Sequence, residues 1–230
     1  MKKFNTEIKP VTNNRGIPFD TLMAPNIVKP EVVFDIDGNM YNTITIGTQT
    51  WMTSNLKTTK YRNGDAISGP TFTNTAWAAL TTEAYCWHSD NYATYGTVYG
   101  ALYNWYAVSD AKNIAPLGWH VATDAEWTTL TTYLGGESVA GGKLKEAGTS
   151  HWLSPNTEAT NETGFTALPG GYRFSYDGTF INIGYYGNWW SSTEYGTSSA
   201  WGRHMYYNSS NASRNFSSKV NGFSVRCIKD

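Results

Sequence analysis

From Val32 to Ile46 the apolar residues fall on alternate or near-alternate positions. Val32, Val33 and Phe34 lead into Asp35-Ile36-Asp37-Gly38-Asn39, and Tyr41, Ile44 and Ile46 follow. Alternation sends successive side chains to opposite faces of a strand, and Asp-Gly is a favoured hairpin turn, so this stretch predicts a β-hairpin. The spacing changes at VYGALYNWYAV, where Ala101, Trp105 and Val108 share one helical face and Leu102 and Tyr106 an adjoining one. A short buried helix is predicted there. A second helix is better marked, because Thr123 can cap it, Glu126 stands three residues on as in a capping box, and Trp127, Leu130 and Leu134 follow at helical spacing. Gly135-Gly136 ends it.

Beyond Gly141-Gly142 the pattern returns to short strands and turns, with Gly170-Gly171, Asp177-Gly178 and the aromatic pair Tyr185-Tyr186. No repeat of 20 to 50 residues is present, and no composition break within 31–230 suggests a second core. These residues read as one α+β domain.

The first thirty residues differ. Pro10, Pro18, Pro25 and Pro30 interrupt them, and no period of 2 or 3.6 runs through. Proline fixes φ and lacks an amide donor, so residues 1–30 are expected to form an extended arm whose Phe4, Ile8, Phe19, Leu22 and Met23 have no local core to enter. Those five are candidate docking residues for other subunits of an assembly, and a homo-oligomer is expected.

The stretch Asn188–Cys227 joins apolar anchors to a long run of Asn, Ser, Tyr and Gly. Tyr and Trp give stiff amphipathic contact area while Ser, Gly and Asn give adaptable hydrogen bonding, a mixture suited to recognition. The same small polar residues also fill ordinary turns, and composition alone does not separate the two.

Composition narrows the function classes. Only 15% of residues are charged, and 17 Lys plus Arg stand against 18 Asp plus Glu. No global field exists to hold a phosphate backbone or an anionic membrane, so nucleic acid is disfavoured as a partner. No apolar run of about 18 residues is present, and membrane insertion is not expected. MKKFNTEIKP has an adjacent pair of lysines, Lys2 and Lys3, without an apolar stretch behind them, so no export signal is read there. Cys86 and Cys227 could pair or remain as thiols; reduced thiols are the expectation.

Candidate chemistry is sparse. Asp35, Asp37 and Asn39 have the spacing of a calcium loop, but its twelfth position is Ile46 where a bidentate Glu would be needed. His88, His120, His151 and His204 form no HExxH or zinc pattern, and no GxSxG elbow occurs. Asp124, Glu126, Glu158, Glu162 and Glu194 could in principle pair as in a glycosidase, although nothing in the sequence brings two together. The expectation is no catalytic residues, no metal and no cofactor.

Six ordered motifs, DIDGNMYNTITIGTQTWMTSNLKT, YGALYNWYAV, GWHVATDAEWTTL, LPGGYR, WWSST and GFSVRC, resemble the Fibrobacter succinogenes major paralogous domain, common in Bacteroidetes-type gut bacteria and their phages. The resemblance implies a C-type-lectin-like fold, shared with formylglycine-generating enzymes and the variable proteins of diversity-generating retroelements. It implies that WWSST, AWGRHMYY and GFSVRC are consecutive strands of a small twisted antiparallel sheet. Period two then puts Trp201, Arg203, Met205 and Tyr207 toward the core or its edge, with Gly202, His204 and Tyr206 on the opposite face. Together with Tyr195, Asn208, Asn211, Ser213 and Asn215, these three form the expected ligand-binding set, in the region that retroelement variable proteins diversify.

The chain departs from the family at Asn113-Ile114-Ala115-Pro116, where relatives carry a cysteine before the proline, so a disulfide from there to Cys227 is not available in the same way. Cys86 and Cys227 do not match the cysteine pair of formylglycine-generating enzymes, and the EPN, QPD and WND tripeptides of calcium-dependent sugar sites are missing. The expected function is non-enzymatic recognition of a cell-surface glycan or protein by a phage fibre or decoration protein at the virion surface. A secreted or surface-anchored bacterial adhesin is the alternative, and an oxidoreductase akin to formylglycine-generating enzymes the third reading.

Overall fold

The structure is a computed structural model that describes residues 31–230. Phe4, Ile8, Phe19, Leu22 and Met23 lie outside the described residues. The chain opens with β1 (Val32–Phe34), β2 (Met40–Ile46) and β3 (Gln49–Met52), then α1 (Asn74–Ala78) and β4 (Tyr85–Cys86). Next come α2 (Thr97–Tyr99), β5 (Leu102–Tyr103), α3 (Trp105–Ser109), β6 (Trp119–Val121), α4 (Asp124–Tyr133) and α5 (Glu137–Leu144). The C-terminal part is β7 (Gly170–Arg173), β8 (Phe180–Ile183), β9 (Tyr186–Gly196), β10 (Ser199–Tyr206), β11 (Ala212–Ser218) and β12 (Cys227–Lys229).

The strands make two five-stranded sheets, ordered β1-β2-β3-β12-β6 and β11-β10-β9-β7-β8, and a two-stranded one, β4-β5. The architecture is α+β. In the first sheet β12 is inserted between β3 and β6, with Ile228 opposite both Trp51 and His120, so the two ends of the described chain close one layer.

The predicted hairpin forms, with Val33 opposite Tyr41. Asp35 closes its turn: one carboxylate oxygen accepts the Asp37 and Asn39 amides at 3.0 and 2.9 Å, and the other accepts the Tyr41 hydroxyl at 2.6 Å. Helix α4 also follows its sequence signals. Thr123 Oγ1 accepts the Glu126 amide, Glu126 returns its carboxylate to the Thr123 amide at 2.8 Å, and Trp127 and Leu130 are buried.

The helix predicted over VYGALYNWYAV is a correction. Gly100 takes a left-handed φ of 77° that ends α2, Leu102 and Tyr103 pair with Cys86 and Tyr85 as strand, and Asn104 caps a new helix that begins at Trp105. Ala101, Trp105 and Val108 fit a helical period, but Tyr103 exchanges two backbone hydrogen bonds with Phe223, a distant partner that local periodicity does not reveal.

The tandem Trp189-Trp190 explains how one strand serves two cores. Adjacent positions on β9 point to opposite faces. Trp189 packs with Trp127, Met205 and Ala212, while Trp190 packs with Phe223, Val225 and Tyr103. Both rings are fully buried and both indole N–H groups are satisfied, by Asn55 Oδ1 and by the Tyr103 carbonyl, each at 2.8 Å. Buried Arg226 of GFSVRC ties the layers together, donating to the carbonyls of Met52 and Phe165 at 2.8 and 2.7 Å and to Asn55 Oδ1.

Candidate functional site

The pairing of β9, β10 and β11 decides which side chains share a face, because directly opposed residues in an antiparallel ladder lie on the same side. His204 is opposite Asn188 on β9 and Ser213 on β11, Gly202 is opposite Trp190 and Asn215, and Tyr206 is opposite Tyr186. Gly202, His204, Tyr206, Ser213 and Asn215 therefore share one face. Arg203, Met205 and Ala212 face the other way, into the core around Trp189, with Arg203 bonded to Asp124.

The shared face is not uniformly open. The segment Asn221–Ser224 pairs alongside the edge of β9, held by backbone bonds between Arg173 and Gly222 and between Ser224 and Asn188 and Trp190, and turns the Phe223 ring onto this face. This places the Phe223 ring edge-on to His204, with centroids 5.5 Å apart. His204 and Gly202 are buried, which differs from the exposed position expected of them: His204 retains 7% exposure. A Cβ at Gly202 would come within 2.8 Å of the Trp189 carbonyl and 3.4 Å of His204 Nε2. His204 underlies the opening that remains, whereas Gly202, Ser213 and Asn215 do not line it.

What stays open is a cleft of about 250 Å³. Asn188 and His204 lie beneath it, the half-buried pair Tyr186 and Tyr206 stands at one side, and Tyr172, Phe174 and Phe223 stand at the other. Ser217 and Asn221 complete its lining. Tyr186 and Tyr206 meet edge to face at 4.7 Å, as do Tyr172 and Phe223 at 5.6 Å. Asn221 is oriented by its Oδ1 accepting the Ser175 amide at 2.8 Å. The carbonyl of Tyr206 is held by the buried Lys145 Nζ at 3.1 Å, which also takes the Thr157 and Ser209 carbonyls and so fixes the end of β10.

The electrostatics of the cleft are neutral. Asn188 Oδ1 accepts from His204 Nδ1 at 2.7 Å. An amide oxygen can only accept, so Nδ1 carries the proton and Nε2 presents a lone pair. Burial, and then the neighbouring Arg203 charge, push the His204 pKa down to about 4, so the ring is uncharged near neutral pH. His204 Nε2 and Asn188 Nδ2 make no hydrogen bond to the described residues and are shut off from solvent, Nε2 lying against Gly202. Burial raises the Tyr206 phenol pKa, and the nearby Tyr186 and Tyr172 phenols add to the effect, which marks the three rings as a convergent group.

The remaining expected residues lie elsewhere. Asn208 and Asn211 are exposed in the β10–β11 turn. Tyr195, 51% exposed, stacks on Phe216 at 4.2 Å and meets the edge of Trp201, forming an aromatic ledge beside Arg214, whose guanidinium lies 3.4 Å from the Trp201 ring centroid. By ladder register Trp201 and Phe216 belong to the opposite face, so this ledge is separate from the cleft. Tyr172, Phe174, Tyr186, Asn188, Ser217, Asn221 and Phe223 were not expected as site residues. Period two along Tyr186, Asn188 and Trp190 was the available signal, but its use requires the β9–β10 register.

Several of the groups considered for catalysis are engaged in structure. His120 bridges Asp230 and Glu126 at 2.6 and 2.8 Å, and His151 contacts Glu146 at 2.9 Å. Asp124 holds Arg203 and Arg214. Cys86 and Cys227 are free and fully buried in different clusters, and burial pushes the Cys86 thiol up to about 12 and the Cys227 thiol higher still. A larger concavity of about 430 Å³ lies between Phe34–Ile36 and Ile114–Leu117, but its lining is mostly apolar and Arg62 is spent on the carbonyls of Ala115, Pro116 and Trp119. It has few free groups with which to read a ligand.

With this geometry in place, the profile of the Fibrobacter succinogenes major domain matches residues 44–229. The chain belongs to that family. The matched span runs from β2 to β12 and includes every residue of the cleft. Comparison with curated proteins and with solved structures finds no match.

Proposed function

We propose that this member of the Fibrobacter succinogenes major domain family is a non-enzymatic recognition protein with a C-type-lectin-like head. The α+β architecture with small curled sheets is compatible with that fold description. The cleft between Tyr186–Tyr206 and Tyr172–Phe223 binds a host-surface glycan or protein. The head is carried on a larger assembly, a phage fibre or decoration protein, with residues 1–30 as its attachment.

The observation that carries the reading is the composition of the cleft: aromatic walls, hydroxyl and amide groups at the rim, and an uncharged imidazole beneath. Such a surface has contact area and hydrogen-bonding groups without an activated nucleophile or acid–base pair. The buried thiols give further support, since a thiolate is needed for cysteine chemistry and both groups are pushed away from it.

Labelled protein applied to host bacteria tests the proposal. Tyr172→Ala combined with Tyr206→Ala abolishes cell binding while the melting temperature stays within a few degrees of the parent. Unaltered binding by the folded double variant contradicts it.

A further inference from the structure

We infer that the cleft takes a single uncharged hydroxylated ring, a neutral glycosyl residue at the end of a chain, bound without a metal ion. The inference rests on the recognition reading above and adds the chemical class.

Four observations point the same way. First, among the described residues no Lys, Arg, Asp or Glu lines the cleft, so a carboxylate, sulfate or phosphate would be desolvated there without a countercharge. Second, the polar side chains that line the cleft are uncharged: Ser217 and the phenols of Tyr172, Tyr186 and Tyr206 can each donate and accept, and Asn221 carries an amide. A sugar hydroxyl both donates and accepts, so it can pair with any of these groups, while His204 Nε2 and Asn188 Nδ2 are sealed from the opening.

Third, Tyr172, Phe174, Tyr186 and Tyr206 are half-buried and offer edges and partial faces against which the C–H side of a sugar ring can pack. They do not form a cage for a quaternary ammonium group, which needs ring faces converging on one point. Here Tyr186 and Tyr206 meet at 82° and Tyr172 and Phe223 at 84°, so each pair directs a face toward its own neighbour. Fourth, the volume of about 250 Å³ is below the roughly 300–1,000 Å³ of sites for drug-sized ligands, which suits one ring entering end-on.

The test applies the full-length protein to a printed array of neutral, sialylated and sulfated oligosaccharides with phosphocholine, followed by calorimetric titration of the retained probes. The expected result is retention on oligosaccharides ending in an uncharged residue, unaffected by EDTA, with Kd weakened at least tenfold by Tyr206→Ala at unchanged melting temperature. Retention only on sialylated, sulfated or phosphocholine probes, retention on none, or neutral-sugar binding that Tyr206→Ala leaves intact overturns the inference. Periodate oxidation of host cells separates this claim from the broader one. If the parent protein still binds oxidised cells and Tyr172→Ala/Tyr206→Ala does not, recognition through the cleft stands and the sugar class is wrong. If the double variant binds cells as the parent does, the recognition reading itself is contradicted.

Discussion

His204 Nδ1 donates to Asn188 Oδ1 at 2.7 Å across the β9–β10 ladder, and both side chains are more than nine-tenths buried. The contact fixes the imidazole tautomer and its orientation beneath the cleft. Removing one member strands the other in an apolar setting beside Phe223. Asn188→Leu is expected to cost about 1–3 kcal/mol in urea denaturation, the penalty of an orphaned buried polar group.

Acid should weaken the fold through two buried imidazoles. His204 and His88 both have folded pKa values lowered to about 4 from an unfolded value of 6.5, with burial the leading cause in each. Between these limits the unfolded chain binds protons that the folded chain refuses, so stability is complete above pH 6.5 and is lost as pH falls toward 4. At about 1.4 kcal/mol per pKa unit the loss approaches roughly 3 kcal/mol for each ring. Melting temperature measured from pH 7.5 to 4 should fall, and His88→Gln or His204→Gln should each flatten the slope.

His120 titrates with the opposite sign. Burial opposes its charge, but the hydrogen bonds to Asp230 and Glu126 and their negative charges outweigh it and raise its pKa. Its stabilisation is fully present below the unfolded value and is lost as pH rises through the raised folded value. His120→Gln should remove that alkaline-side decline while leaving the acid limb unchanged. An NMR titration in which the His120 pKa lies below 6.5 would contradict this assignment.

Asp124 is the only carboxylate hydrogen-bonded to the fully buried Arg203 among the described residues, at 2.7 Å, and it also holds Arg214. Asp124→Ala leaves a buried cation unpaired and is expected to cost about 3–5 kcal/mol, whereas Arg214→Ala, at a partly exposed site, is expected to cost about 1 kcal/mol or less. Equal losses in chemical denaturation would contradict the asymmetry.

The local signals in the sequence carried the elements they could reach. The Asp-Gly hairpin, the Thr123–Glu126 capping box and the alternation of Arg203 and Met205 against Gly202 and His204 all depend on neighbours a few residues apart, and all three are present. What the sequence could not supply was register and overlay. Leu102–Tyr103 became strand because Phe223 and Cys86 lie beside it. His204 was expected to be exposed because its face was identified without the Asn221–Ser224 segment, which pairs along the β9 edge and lays the Phe223 ring against it. Tyr172 and Tyr186 joined the site through a parallel contact at Gly171 and Gly187. Gly171 has a φ of 61° and a Cβ there would come within 2.5 Å of the Ile181 carbonyl, a close approach for which LPGGYR gives the residue but not the partner.

The most direct measurement of the central claim is the spectrum of protein carrying ¹³C-labelled tyrosine, titrated with solubilised host envelope. The account predicts that the ring resonances of Tyr172, Tyr186 and Tyr206 shift together and saturably while those of Tyr195 and Tyr133 stay in place. Shifts confined to Tyr195, or no shift at the cleft tyrosines under conditions in which the protein binds host cells, would contradict it.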